Sequence, residues 1–157
     1  YRERSIMDPA PGNKNLITDI PGIQVGHAED KEIGTGVTVI IGDKPFSTAV
    51  DVRGGGPGTR ETDMLSLENS VGRADAIVLS GGSAFGLDAC SEVQDLLRQD
   101  KKGYKVGKAI VPLVPGAGQV GTRSSLLPRR LTTYPREYII EGGRAGLRRA
   151  SGGVLRC

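Results

Sequence analysis

The hydrophobic pattern in the first third of the chain alternates over short runs and predicts β-structure. Isoleucine and valine recur in NLITDIPGIQVGHAED, where Pro21 and Gly22 interrupt the run. This pattern predicts a strand that enters a turn and is followed by a second short strand. Two further β-rich runs, GVTVIIGD (residues 36–43) and FSTAVDVRG (residues 46–54), are separated by the tripeptide DKP. Together they predict a hairpin.

The middle of the chain changes from continuous apolar runs to a helical period. AIVLS (residues 76–80) is short enough to be a strand buried on both faces. In the next segment, SAFGLDACSEVQDLLRQ, the residues Gly86, Cys90, Val93 and Leu97 recur at helical spacing. This spacing predicts an amphipathic helix with Ser83 as its N-cap. AIVPLVP (residues 109–115) predicts another buried strand, and the order strand, helix, strand predicts a covered sheet.

Composition narrows the fold class. The chain has 157 residues, 24 glycines, no tryptophan and 4% aromatic residues, so one domain with frequent turns and an aliphatic core is expected. We predict an α+β fold. The two cysteines give no disulfide framework, and no apolar leader or long apolar run is visible. A cytoplasmic protein without membrane insertion is therefore expected.

The charge is unevenly distributed. Residues 1–115 carry a net charge of −3, whereas residues 116–157 carry +6, with 8 arginines and no lysine. A basic tail is either an arm for nucleic acid or another acidic partner, or a solvated extension. We favour the extension, because no aromatic residues are interleaved with the arginines and no binding motif accompanies them.

Two glycine-rich segments are candidate sites. Gly81-Gly82-Ser83 joins a predicted strand to a predicted helix, where backbone N–H groups can hold an anion or a developing oxyanion; close packing and simple capping explain the same residues. RGGGPGTRETD, which begins at Arg53, brings bare backbone near an arginine that could pair with a carboxylate; Arg60 is the alternative. It lacks the Gly-Lys-Ser/Thr ending of a phosphate loop. Thr59 or Thr62 is placed to cap a short helix in MLSLENSV.

Other candidate chemistry is weaker. GAGQVG (residues 116–121) fits the dinucleotide fingerprint, but the sequence after it offers no continuous helix, so we interpret the match as chance. His27 is the only histidine and is expected in a hydrogen-bonded structural role. No metal-ligand spacing is present, and no cofactor is expected. Cys90 lies on the apolar side of the predicted helix and is expected in the core.

Four motifs in order, NLITDIPGIQVGHAED, GTGVTVIIGD, AVDVRGGGPGTRETD and AIVLSGGSAFGLDA, resemble the N-terminal portion of the DmpA-type L-aminopeptidases and D-esterases. That family also holds β-peptidyl aminopeptidases and nylon-oligomer hydrolases. The resemblance implies an α-β-β-α sandwich like that of N-terminal-nucleophile hydrolases, self-cleavage before a Ser or Thr nucleophile, small peptide, amide or ester substrates, and a homo-oligomer. It places Gly81, Gly82, Ser83, Phe85 and Gly86 close to the active site. Arg53, Gly54 and Gly55 are candidates for a wall of that site from their own composition, and a structural crossover loop is the alternative.

The resemblance ends near residue 117. We therefore predict a mobile lead-in (residues 1–15), a partial hydrolase domain (16–117) and a basic, disordered or poorly packed tail (118–157) that departs from the family. Neither a cleavage pair nor a catalytic nucleophile of the family is recognisable, so the chain is expected to be an inactive, truncated or frameshifted segment of a serine-type aminopeptidase. A genuine lineage-specific tail is the alternative origin. The rival functions are a non-catalytic binding module with a basic nucleic-acid-binding arm and, on the fingerprint alone, a dinucleotide-dependent oxidoreductase.

Overall fold

A computed structural model of the protein describes residues 10–30 and 35–119. Most of the predicted lead-in and nearly all of the predicted tail lie outside this part of the chain. Two of the described strands form a separate hairpin, β5 (Tyr104–Val106) with β6 (Ala109–Val111), and the other five form one sheet. The order of strands in that sheet is β1 (Ile23–Asp30), β2 (Thr35–Ser47), β4 (Arg73–Gly81), β7 (Gly116–Gln119) and β3 (Thr59–Arg60). None of the helices in the described part is long and apolar enough to cross a bilayer.

The first two strands pair with each other, not as the sequence pattern predicts. β1 (Ile23–Asp30) is antiparallel to β2 (Thr35–Ser47). The predicted hairpin at DKP is wrong, because the tripeptide lies inside β2, where the register with β4 shifts between Ile41 and Phe46. Such an irregularity lets a strand accommodate a proline.

The segment before Pro21 is also not a strand. It forms a 3₁₀ turn at Ile17–Asp19. The Asp19 carboxylate accepts hydrogen bonds from the backbone N–H groups of Lys14 (2.9 Å) and Leu16 (3.3 Å). Local bonds of this kind occupy donors that a strand would use in a ladder. The strand predicted after Gly22 is confirmed as β1.

The central unit is a strand-helix-strand crossover, but its second strand begins after the run 109–115 that the sequence predicts. β4 (Arg73–Gly81) is antiparallel to β2 and parallel to β7 (Gly116–Gln119). Between them lie two helices, α1 (Ser83–Gly86) and α2 (Ala89–Gln99), where the sequence predicts one. The short strand β3 (Thr59–Arg60) is antiparallel to β7 and completes the sheet.

The prediction of one buried strand over residues 109–115 is wrong. Ala109–Val111 is β6, which pairs with β5 (Tyr104–Val106) away from the main sheet. The next residues run beside β4 without forming a regular ladder, since Pro112 and Pro115 have no N–H to donate. Leu113 instead bonds the buried Asp75 twice, through its N–H to the carboxylate and its carbonyl to the backbone N–H, both at 2.8 Å.

The helix predicted for MLSLENSV is a single 3₁₀ turn, Thr62–Leu65. Glu61 precedes it with a left-handed φ of 55°, and no side chain caps it. The two predicted caps, Thr59 and Thr62, bond each other through their hydroxyls at 3.2 Å. Since each hydroxyl is engaged with the other, the predicted capping arrangement is wrong.

The core lies between one face of the sheet and the helices. Its buried members come from β2, β4, α2 and the segment before β7: Val37, Val39, Ile41, Ala76, Val78, Ala89, Cys90, Val93, Leu97 and Val114. The predicted apolar stripe of the helix is therefore confirmed. The opposite face of β4 is only partly covered, with Ile77 half-buried and Leu79 46% exposed. AIVLS is thus buried on one face in the described structure, not on both, and we call the other side the open face.

Candidate functional site

The junction between β4 and α1, which we call the glycine turn (residues 81–86), uses an unusual backbone. Gly82 has a φ of 88° and Ser83 a φ of 58°. The N-cap of α1 is Gly82, so the prediction that Ser83 caps the helix is wrong. A side-chain cap requires an extended residue at that position. A left-handed conformation at a non-glycine residue costs about 1–3 kcal/mol, and such strain clusters at functional sites.

Gly86 lets α1 pack directly on the end of β4. A Cβ atom at Gly86 would collide with the carbonyl oxygen of Gly81 and would approach Ser80 Oγ to 2.8 Å. Those two oxygens are themselves linked, because Ser80 Oγ donates to the Gly81 carbonyl at 3.0 Å. The helix therefore closes over the strand end only because Gly86 has no side chain.

The glycine turn meets the end of the glycine-rich loop (residues 53–58) at β7. A Cβ atom at Gly118 would lie 2.8 Å from the Ser83 carbonyl oxygen and 3.5 Å from that of Gly58. The Gly118 N–H donates to the Gly58 carbonyl at 2.7 Å. The fold thus brings the two predicted segments together across one strand.

The other predicted loop residues lie elsewhere. Arg53 is exposed, and its Nε donates to Asp51 at 2.7 Å, so the carboxylate predicted for Arg53 is a neighbour two residues away. Gly54 and Gly55 are exposed, and nothing described would lie within 4 Å of a Cβ at either. Phe85 of the glycine turn is 57% exposed.

A concavity of about 330 Å³ lies on the open face of the sheet. Its sides come from the segment after β2, the glycine-rich loop and the neighbouring strands, with Val52, Arg53, Thr59, Leu79 and Ala117 among its lining residues. The residues of the glycine turn do not line it. The structure therefore separates the predicted site into a turn on the helix side and a loop over the open face, and the two meet at Gly118, which bonds Gly58.

Four of the reactive side chains in the described part are hydrogen-bonded or buried. Ser91 Oγ accepts from Arg60 at 2.5 Å, and Thr38 Oγ1 bonds His27 Nδ1 at 2.9 Å between β1 and β2. His27 thus has the hydrogen-bonded role predicted for it. Cys90 is fully buried, as predicted; burial raises the pKa of its thiol to about 11, and the positive charge of Arg60 opposes this rise. A neutral, inaccessible thiol is a poor nucleophile.

The described residues also bear on cofactors and metals. Gly116–Gln119 forms β7 rather than the turn that opens a helix in a dinucleotide site, and Gly121 lies outside the described residues. A dinucleotide's pyrophosphate requires such a helix N-terminus. No group of three or more His, Cys, Asp or Glu side chains suited to a metal occurs within residues 10–30 and 35–119.

Arg60 makes intramolecular hydrogen bonds for which the sequence provides no signal. In the described structure it pairs with no carboxylate; its guanidinium donates to the Leu87 carbonyl, to Ser91 Oγ and to Gln94 Oε1. These acceptors lie 27 to 34 residues away in the chain. No local pattern signals contacts at such a separation.

The sequence is similar to a known protein family and to several of its members. The model of peptidase family S58 matches residues 15–120. An uncharacterized aminopeptidase of Mycobacterium tuberculosis is 46% identical over 111 residues, which are 66% of this chain and 32% of the relative. One of Mycobacterium leprae is 48% identical over 111 residues, which are 66% of this chain and 31% of the relative.

A 6-aminohexanoate-oligomer endohydrolase of a Kocuria species is 37% identical over 106 residues, which are 68% of this chain and 27% of that enzyme. The chain thus spans about a third of the length of the curated relatives it matches. The family match covers the whole sheet and its helices. It confirms the resemblance to the DmpA-type group, and the chain belongs to peptidase family S58.

Proposed function

We propose that this chain is a segment of a self-processing N-terminal-nucleophile hydrolase that cleaves amide bonds in small peptides or oligomers, or small esters. The observation that carries the proposal is the family match over residues 15–120, which coincides with the sheet-helix unit described above. The relatives named aminopeptidases and oligomer hydrolases support a peptidase or amidase activity. The serine or threonine type and the self-cleavage are part of the proposal.

The chemistry we propose needs no histidine. An N-terminal hydroxyl is activated by its own α-amine, which takes the proton as the oxygen attacks the carbonyl carbon. His27 is hydrogen-bonded to Thr38 between β1 and β2, and we assign it no catalytic role. We propose that none of the described hydroxyls is the nucleophile, and we assign no catalytic residue to this part of the chain.

We propose that the glycine turn forms one side of the site. Its left-handed residues and the absent side chain of Gly86 bring bare backbone to the end of β4. Backbone exposed at a strand end allows close approach of a substrate and offers N–H donors to a developing oxyanion. Gly58 extends the same side through its bond to Gly118.

The open face supports the proposed α-β-β-α sandwich. Helices cover one face of the sheet, whereas Leu79 and Val52 leave apolar surface on the other. A sheet that is apolar on both faces is stable when a second layer covers it. We propose that this layer is a second sheet, so that the described unit is one helix layer and one sheet of the complete fold.

The rival function depends on residues outside the described part. The arginines of the proposed nucleic-acid-binding arm lie in residues 123–156. Family membership favours the hydrolase. A cytoplasmic location and a homo-oligomeric enzyme remain predictions.

A chimera tests the function of this segment. Residues 15–119 would replace the aligned segment of the Kocuria oligomer hydrolase, and release of amine from 6-aminohexanoate oligomers would be measured. We expect the chimera to cleave itself before a Ser or Thr, seen by mass spectrometry, and to hydrolyse the oligomer. The same chimera with Gly86→Val should lose hydrolysis. A chimera with the parent's circular dichroism and elution volume but no amide hydrolysis would contradict the proposal.

The chain by itself provides a second test. We propose that the purified 157-residue chain does not hydrolyse aminoacyl p-nitroanilides, because no family nucleophile is recognisable in it. Release of p-nitroaniline above that of a heat-inactivated sample would overturn the proposed inactivity. The hydrolase class itself would then be supported directly.

A further inference from the structure

Arg60 connects three parts of the fold through one guanidinium group. It lies in β3, directly after the glycine-rich loop. Its Nη1 donates to the Leu87 carbonyl at 3.4 Å and to Ser91 Oγ at 2.5 Å, and its Nη2 donates to Gln94 Oε1 at 3.1 Å. A planar guanidinium is suited to such a fork of acceptors, whereas an ammonium group is not.

The acceptors around Arg60 are neutral and are held in place themselves. Within the described residues no carboxylate lies at ion-pair distance from Arg60, although its side chain is half-buried. Gln94 is oriented by two further bonds, from its Nε2 to the Pro112 carbonyl at 3.1 Å and to Glu61 Oε2 at 3.2 Å. A partly buried charge is tolerated when its hydrogen bonds are made, and removing such bonds is costly.

Leu87 lies at the joint between the two helices. α1 ends at Gly86 and α2 begins at Ala89. A Cβ atom at Gly118 would lie 3.4 Å from Leu87 Cδ2 and 2.8 Å from the Ser83 carbonyl oxygen, so both groups lie directly over Gly118. The bond from Arg60 therefore holds the joint over β7, on the strand where the glycine turn meets Gly58.

We propose that Arg60 is a positioning residue for the glycine turn. By bonding Leu87 and Ser91, it fixes the α1–α2 joint and keeps residues 82 and 83 in their left-handed conformations at the strand end. It also couples the glycine-rich loop to that turn, because Arg60 belongs to the strand in which the loop ends. The functional importance of this coupling rests on the proposed hydrolase activity, whereas the coupling itself does not.

Hydrogen exchange in the full 157-residue chain tests the coupling. Arg60→Met would be compared with Arg98→Met, a control in which the arginine is exposed and pairs within α2 with Asp95. We expect amides of residues 82–88 to exchange about tenfold faster in Arg60→Met, the effect of losing bonds to a charged group. Amides of β1 and β2 should keep their rates, and Arg98→Met should match the parent chain.

Rescue separates positioning from loss of bulk. Arg60→Lys keeps the charge but cannot reach three acceptors, so we expect intermediate protection of residues 82–88. In Arg60→Ala, millimolar guanidinium chloride should restore part of the protection, whereas sodium chloride at the same concentration should not. Unchanged exchange in Arg60→Met, or an equal rise in the turn and in β1–β2, would overturn the proposal.

The link to catalysis is measured in the chimera described above. We expect Arg60→Met to lower kcat/KM for amide hydrolysis at least about tenfold, Arg60→Lys to restore part of it, and Arg98→Met to leave it unchanged. A normal kcat/KM in a variant whose turn exchanges rapidly would overturn the functional importance of Arg60. A chimera that is inactive before any substitution would contradict the proposed function, while the exchange result would still decide whether Arg60 positions the turn.

Discussion

Replacing Gly86 with alanine tests the close packing of α1 on β4. A methyl group at this position would collide with the Gly81 carbonyl oxygen and press on Ser80 Oγ. Neither neighbour can yield freely, because the first is backbone of the strand and the second is hydrogen-bonded to it at 3.0 Å. The short helix would have to move away from the strand end.

The change in the free energy of unfolding is the sum of one stabilising and two destabilising effects. Alanine is favoured over glycine in a helix by about 1 kcal/mol. Overpacking costs about 1–3 kcal/mol, and disruption of the Ser80–Gly81 bond costs about 1 kcal/mol more. We therefore expect Gly86→Ala to lower the free energy of unfolding by about 1–3 kcal/mol, although alanine is the better helix former.

Urea denaturation followed by far-ultraviolet circular dichroism measures this change, since the chain has no tryptophan to report by fluorescence. The midpoint should fall by about 1 M at an unchanged slope. Gly56→Ala is the matched control, because nothing described lies within 4 Å of a Cβ there and its φ is not left-handed; its midpoint should stay near the parent value. A Gly86→Ala chain as stable as the parent would refute the packing argument.

Three further predictions concern the core and its uncovered side. Burial raises the pKa of Cys90 from 9.0 to about 11, so the thiol of the unfolded chain ionises first, and the free energy of unfolding should fall by about 1.4 kcal/mol per pH unit between pH 9 and 11. Urea denaturation should show full stability below pH 9 and a smaller loss above it in Cys90→Ala. Gly116→Ala should lower the free energy of unfolding by about 1–3 kcal/mol, because the added methyl group would collide with Cys90 Sγ. In a double-mutant cycle Cys90→Ala should recover part of that loss, and strictly additive effects would contradict the contact. Val78→Ala should cost about 2 kcal/mol and Leu79→Ala less than about 1 kcal/mol by the same denaturation assay, and equal costs would show that both faces of β4 are covered.

The spacing of apolar residues correctly predicted those parts of the fold in which burial repeats at the period of a helix or a strand. The stripe of Cys90, Val93 and Leu97 is the buried side of α2, and the run around Val78 is a central strand. Such patterns are readable because a helix or strand presents a fixed repeat to whatever covers it. Four motifs in the same order as in the family were also sufficient to indicate the family.

Turns and strand ends were predicted less well, because their conformation depends on distant partners. The tripeptide DKP has turn composition, yet it lies inside β2, which pairs with β4 both before it, up to Ile41, and after it, from Phe46. Ser83 has the side chain of a helix cap, but Gly82 takes the cap position in a left-handed conformation. Local propensity is a weak signal that pairing and packing override.

By itself, the sequence indicated the central strand β4, the apolar side of the helix that follows it, and the family. Only the tertiary structure decided that the glycine turn and the glycine-rich loop meet at Gly118, and that Arg60 bonds Leu87 rather than a carboxylate. The physical reason is one of range. The hydrophobic period involves residues a few positions apart, whereas close backbone contacts and the hydrogen bonds of Arg60 join residues tens of positions apart. The spacing of residues in a single sequence therefore does not reveal these contacts.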